Sequence, residues 1–136
     1  MIKAVLFDFD GTLTAPGGID FAAIKAEIGC PSDRPILEFI EQLPTLRAQR
    51  RASLVLERFE EQSARRARPN RDAEHLILLL RRRGLRTGVL TRNSCLSVKA
   101  ALKNFNRIRR SDFDTIIARD HVRRPKPDPE GVLLAA

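Results

Sequence analysis

Two carboxylates stand two residues apart in the segment Asp8-Phe-Asp-Gly-Thr-Leu-Thr14, directly behind the apolar run Ala4-Val-Leu-Phe7. A buried strand that stops at such a turn delivers Asp8 and Asp10 to the carboxyl edge of a sheet, where open α/β folds bind their ligands. One acid placed there can attack a substrate while the other moves protons. A calcium loop is excluded, because Thr12 stands at the third ligand position and Ile19 where a closing Glu is required. Neither a G-x-x-x-x-G-K-[ST] nor a G-x-G-x-x-G phosphate cradle occurs.

Two further positions carry chemistry. Val89-Leu-Thr91 reads as the end of a second strand, and Arg92-Asn93-Ser94 as the start of a helix. A hydroxyl beside the free N–H groups of a helix start suits an oxyanion. Later, Pro125 and Pro127 bracket Lys126 in Arg123-Arg-Pro-Lys-Pro-Asp-Pro129, a stiff extended loop that holds the ammonium in place. Asp128 and Pro129 then suit a helix cap and first turn. His75 and His121 read as solvent-facing, Cys95 as a small buried residue, and Arg34 as a surface charge.

These segments resemble, in order, the first three motifs of the haloacid dehalogenase-like hydrolases: D-x-D-G-T, an apolar strand ending in Ser or Thr, and K-P-D-P. The resemblance implies a magnesium-dependent phosphatase that hydrolyses a small phosphate monoester through an aspartyl-phosphate intermediate. By it, Asp8 is the nucleophile and Asp10 the general acid and base. Thr91, Arg92, Asn93 and Lys126 contact the substrate, Lys126 also restraining Asp8, and Asp8 and Asp10 hold Mg2+. A phosphomutase acting on a sugar phosphate would use the same residues. A reading of another class, a non-catalytic basic fragment that binds nucleic acid or a protein partner, rests on the charge and on the missing fourth motif. The family's fourth motif, one or two acids after the next strand, has no counterpart before Ala136. The expectation is therefore an incomplete core with an unpaired edge at Ala4–Phe9, weak magnesium binding and little turnover.

The elements that must position these residues follow from periodicity. Strands at Ala4–Phe7, Arg86–Thr91 and Thr115–Ala118 alternate with helices, which predicts an α/β fold, a doubly wound, Rossmann-like parallel sheet. The core is expected over residues 1–17 and 69–136. Residues 18–68 read as an inserted cap of about three helices, with Phe21, Ile24 and Ile28, then Ile36, Leu37, Phe39 and Ile40, then Leu54, Val55 and Phe59 at helical spacing. After Pro69, Asn70 or Asp72 can cap a helix that places Ala73, Leu76, Ile77 and Leu80 on one face, and Gly84 suits its end. The cap resembles that of the phosphoglycolate phosphatase and β-phosphoglucomutase branch, which implies a lid that excludes water and selects the substrate.

Composition narrows the partners. The formal charge of +8 suits anionic ligands, and most of the 25 basic residues are Arg spread along helices. With no Trp or Tyr, stacking platforms for single strands are lacking, so a small phosphorylated metabolite is expected and nucleic acid is not. Two cysteines suit a reducing compartment, and Met1 leads straight into the first strand without a leader or membrane span, so a cytoplasmic protein is expected. Oligomeric state and substrate identity stay open.

Overall fold

The computed structural model describes residues 1–136. The chain runs through β1 (Ala4–Phe7), α1 (Phe21–Ile28), α2 (Ile36–Glu41), α3 (Leu46–Arg66), α4 (Ala73–Arg82), β2 (Arg86–Leu90), α5 (Cys95–Leu102), β3 (Thr115–Ile117) and α6 (Glu130–Ala135). Single 3₁₀ turns occupy Arg110–Asp112 and Arg119–His121. The strands form one parallel sheet in the order β1-β2-β3, as the alternation of strand and helix predicts.

Strand alternation sorts the sheet residues onto two faces. In the register Phe7↔Val89↔Ile116, side chains join a cluster that also holds Ile77 of α4 and Val98, Ala101 and Leu102 of α5. The register Leu6↔Gly88↔Thr115 faces the other way. Gly88 leaves room there for its neighbours: a Cβ would come within 2.7 Å of the Leu6 side-chain end and 2.9 Å of the Thr115 methyl, so both would have to shift. On the same face a Cβ at Gly131 would collide with Leu90 Cδ1, so α6 lies against the end of β2.

The first strand differs from its expected burial. Ala4–Phe7 alternates between exposed and half-buried positions, and Leu6 is 40% exposed. The run is apolar enough for a central strand, but β1 pairs only with β2 and α6 covers β2 and β3 rather than β1. Burial of a strand requires neighbours as well as composition.

A second apolar cluster, Ile24, Ile36, Ile40, Ala52 and Leu56, holds α1, α2 and α3 together. Asp20 Oδ1 caps α1 at Ala23 N (2.9 Å), Gly29 ends it in the left-handed conformation, and Thr45 Oγ1 caps α3 at Ala48 N (3.1 Å). The buried row of α3 is Ala52, Leu56, Glu60 and Ala64, an i,i+4 series, whereas Leu54 is 65% exposed. The expected Leu54, Val55 and Phe59 face is thus rotated. Ala64 belongs to the main cluster, and Asn104 Nδ2 of the core donates to its carbonyl at 2.9 Å, so α3 runs through both clusters. The chain crosses between the two as a short antiparallel pair: Ala15 N donates to Arg68 O (2.8 Å) and Asn70 N to Leu13 O (2.7 Å).

In α4 the buried residues are Ala73, Glu74 and Ile77, while Leu76 is exposed and Leu80 half-buried. The Glu74 carboxylate turns inward to accept Ile108 N (2.9 Å) and Arg107 N. Neither expected cap is used. Asp72 makes no capping bond, and Asn70 instead donates from Nδ2 to Thr12 O (3.1 Å), bracing the crossing point.

Candidate active site

Asp8 and Asp10 are separated by Phe9, which is wholly buried and stacks on Phe105 with ring centroids 6.3 Å apart. Anchoring the residue between them sends both carboxylates to the opposite side, at the carboxyl end of the sheet. The turn that follows is held by its own backbone. Phe9 O accepts from Thr12 N (3.2 Å), Leu13 N (2.9 Å) and Thr14 N (3.2 Å), Gly11 has φ +75°, and Gly11 N donates to Thr14 Oγ1 (3.0 Å).

The two acids have different surroundings. Asp8 is 47% exposed and its Oδ1 accepts from Lys126 Nζ at 2.9 Å. Asp10 lies deeper, and Asn93 Nδ2 reaches its Oδ2 at 3.0 Å. Burial pushes the Asp10 carboxyl up to about 6; the Asn93 hydrogen bond opposes this, and the charges of Asp8 and Glu60 add to it. Asn93 N in turn donates to Thr91 Oγ1 (3.1 Å), and Asn93 Oδ1 accepts from Ser94 N (2.7 Å) where α5 begins. Thr91 is buried, and its hydroxyl, used as an acceptor by Asn93, keeps its own proton to donate.

Lys126 is steadied from three directions. Glu130 accepts from Arg123 N (3.0 Å) and Arg124 N (2.9 Å), Asp128 N donates to Pro125 O (3.1 Å), and Arg92 Nη1 donates to Lys126 O (2.7 Å). The expected cap of α6 is present, with Asp128 Oδ1 accepting from Glu130 N at 2.9 Å. Asp8, Lys126 and Arg92 thus form one hydrogen-bonded set, and Asp10, Asn93 and Thr91 a second beside it. Arg92 is held through its guanidinium, its Nη2 donating to Glu38 Oε1 (2.9 Å) and Oε2 (2.7 Å) on α2.

Sequence reasoning missed Glu38, Glu60 and Arg119. Arg119 follows β3 and donates through Nη1 and Nη2 to the two Glu60 oxygens, each at 2.8 Å, and through Nη1 to Arg92 O at 3.0 Å. Burial alone would lower the Arg119 pKa, but Glu60 holds it above the usual arginine value. Glu60 is 3% exposed, and stranding such a charge by removing its partner costs about 3–5 kcal/mol. The available signals were an acid on the i,i+4 row of Leu56 and Ala64, which demands a buried partner, and a basic residue at the carboxyl end of a strand. A cavity of ≈ 380 Å³ beside Asp10 is walled by Phe21, Ile36 and Leu56 of the helical segment and by Arg92, Asn93 and Arg119.

The model of the haloacid dehalogenase-like hydrolase family matches residues 2–136. The chain belongs to that family. An uncharacterized hydrolase of Saccharomyces cerevisiae is 33% identical over 130 residues, covering 94% of this chain and 60% of its own length. The N-acetylmuramic acid 6-phosphate phosphatase of Pseudomonas aeruginosa is 30% identical over 98% of this chain and 66% of its own. The chain thus spans less than two thirds of these relatives. Among solved structures, CbbY from Rhodobacter sphaeroides in complex with phosphate superposes with a TM-score of 0.66 at 25% identity, covering 99% of this chain and 71% of that one.

Within this family member the donors for a magnesium ion are few. No group of three or more His, Cys, Asp or Glu side chains is gathered to hold a metal. The carboxylates of Asp8 and Asp10 are the acidic groups at the site. Magnesium accepts one or two carboxylates when phosphate oxygens and waters fill the remaining positions. The residues fit the ion as a partner of bound phosphate rather than as a closed protein site. No helix is long and apolar enough to cross a membrane.

Proposed function

We propose that the protein acts as a phosphatase on a small phosphate monoester, with Asp8 as nucleophile. The carrying observation is the pairing of a half-exposed carboxylate, Asp8, held by Lys126 Nζ, with a half-buried one, Asp10, held by Asn93 Nδ2 and pushed up to about 6 by desolvation. Two acids whose environments separate their proton affinities are suited to divided roles. Asp8, with Lys126 Nζ at 2.9 Å, can attack phosphorus while that ammonium neutralises the phosphoryl oxygens. Asp10, raised to about 6, is protonated closer to neutral pH than an ordinary carboxyl and in that form can pass its proton to the leaving oxygen; once deprotonated, it can take one from the water that hydrolyses the aspartyl phosphate. Asn93 orients that carboxyl, and the Thr91 hydroxyl can donate to the transferring group. Magnesium, when bound through Asp8 and the Asp10 carbonyl, supplies positive charge to the phosphoryl oxygens.

Support comes from the phosphatase named among the relatives and from CbbY, which was crystallised with phosphate. The substrate class we infer is a phosphorylated small metabolite whose leaving group enters the cavity beside Asp10. The test is trapping of phosphate on the protein from a labelled aryl phosphate. Asp8→Asn should abolish both turnover and label. Asp10→Asn should slow turnover by roughly 10²–10⁴ while some label still forms with a good leaving group. Undiminished turnover in the Asp8→Asn protein would exclude Asp8 as nucleophile.

A further inference from the structure

Arg92 sits where a substrate-binding arginine is expected, yet its guanidinium is already committed at both ends. Nη2 spans the two oxygens of Glu38, and Nη1 donates to the carbonyl of Lys126 at 2.7 Å. Burial of Glu38 favours its neutral form, but the hydrogen bonds and charge of Arg92 outweigh it and hold the carboxyl below its usual range. The far end of the same loop residue, Lys126 Nζ, lies 2.9 Å from Asp8. Two polar contacts, linked through the Lys126 side chain, therefore join Arg92 and α2 to the proposed nucleophile.

Helix α2 is a rigid place to anchor such a line. Ile36 and Ile40 bury their side chains in the cluster of the helical segment, while Glu38, two residues from each, points toward the core. Pro35, Ile36 and Leu37, at the start of α2, also wall the cavity beside Asp10. An occupant of that cavity would lie against the start of the helix that carries Glu38.

We propose that Glu38 is a positioning residue: through Arg92 it fixes the backbone of Lys126, so that docking of α2 sets the ammonium opposite Asp8. Arg92 is then a link in this line rather than a substrate contact. The kinetic part of the inference rests on the phosphatase reading above; the structural part does not.

The experiment compares Glu38→Ala, Glu38→Gln, Arg92→Ala and the Glu38→Ala/Arg92→Ala double variant in the full chain, by amide hydrogen exchange and by hydrolysis of p-nitrophenyl phosphate with magnesium. Loss of a charged hydrogen bond should speed exchange at the Arg124 and Asp128 amides, which donate to Glu130 Oε2 and Pro125 O, about tenfold in each single variant, with no further gain in the double. The β2 amides, Arg86 to Leu90, should keep their protection, which shows the fold intact. kcat should fall by a similar factor in all variants while KM stays within about twofold. If instead Arg92→Ala raises KM while Glu38→Ala leaves both constants unchanged, Arg92 binds substrate and the inference is overturned. Unchanged loop exchange in both Glu38 variants overturns it equally. Should the unmodified chain hydrolyse no phosphate ester, the exchange data alone decide whether Glu38 positions the loop.

Discussion

Asp10 is an acid that the fold keeps partly protonated, because burial raises its pKa to about 6 against 3.8 for the free side chain. Between roughly pH 4 and 6 the folded chain holds a proton that the unfolded chain has released, so stability falls as pH rises through that window and stays lowered above it. The penalty at neutral pH is about 1–3 kcal/mol. Asp10→Asn removes it and keeps an oxygen that can accept from Asn93. In urea unfolding, that variant should match the unmodified chain near pH 4 and exceed it by this amount at pH 7.5. A difference that does not change with pH would mean the Asp10 carboxylate is not destabilised by burial. The acids, Thr91, Asn93 and Lys126 were legible because each sits in a short run whose residue types and breakers define an edge, a cap or a stiff loop. Glu38 and Glu60 were not, since their partners lie 54 and 59 residues away and only folding brings them together.

At the scale of elements, helix existence was plain in the sequence and helix rotation was not. All three helices of residues 18–68 are present, yet in α3 the large Leu54 faces solvent and the row Ala52, Leu56, Glu60 and Ala64 faces inward. Apolar residues occupy 52, 54, 55, 56 and 59, so more than one face fits the 3.6-residue period. What selects the observed face is packing: Ala52 and Ala64 are small enough for close approach to neighbouring helices, and Glu60 finds Arg119. In α4 the same competition places Glu74 inside and Leu76 outside, because Arg107 N and Ile108 N need an acceptor. The rotation of α3 gives a direct test. Leu56→Ala should destabilise by about 2–4 kcal/mol, as truncation of a 5%-exposed core residue does, while Leu54→Ala should stay within about 0.5 kcal/mol. Equal losses in thermal or urea unfolding would return the helix to the face its periodicity first suggested.

For the whole molecule, charge and apolar surface act against one another. The chain carries +8, which holds copies apart. On the sheet face away from α4 and α5, Leu6 is 40% exposed on an edge strand, and Val132, Leu133 and Leu134 of α6 are exposed as well. An unpaired strand edge offers N–H and C=O groups to any second strand, and a short apolar one lacks the charged side chains that usually discourage pairing. Repulsion between exposed charges is screened beyond about 10 Å at 0.1 M salt and beyond about 3 Å at 1 M. Self-association should therefore strengthen as salt is raised, opposite to the behaviour of contacts made by ion pairs. Sedimentation velocity between low and high salt should show a growing dimer or larger species in the unmodified chain. Leu6→Lys, which puts a charge on the edge, should keep it monomeric under the same conditions. A chain that stays monomeric throughout, or that dissociates as salt rises, would show that the β1 edge does not govern how copies of this molecule meet.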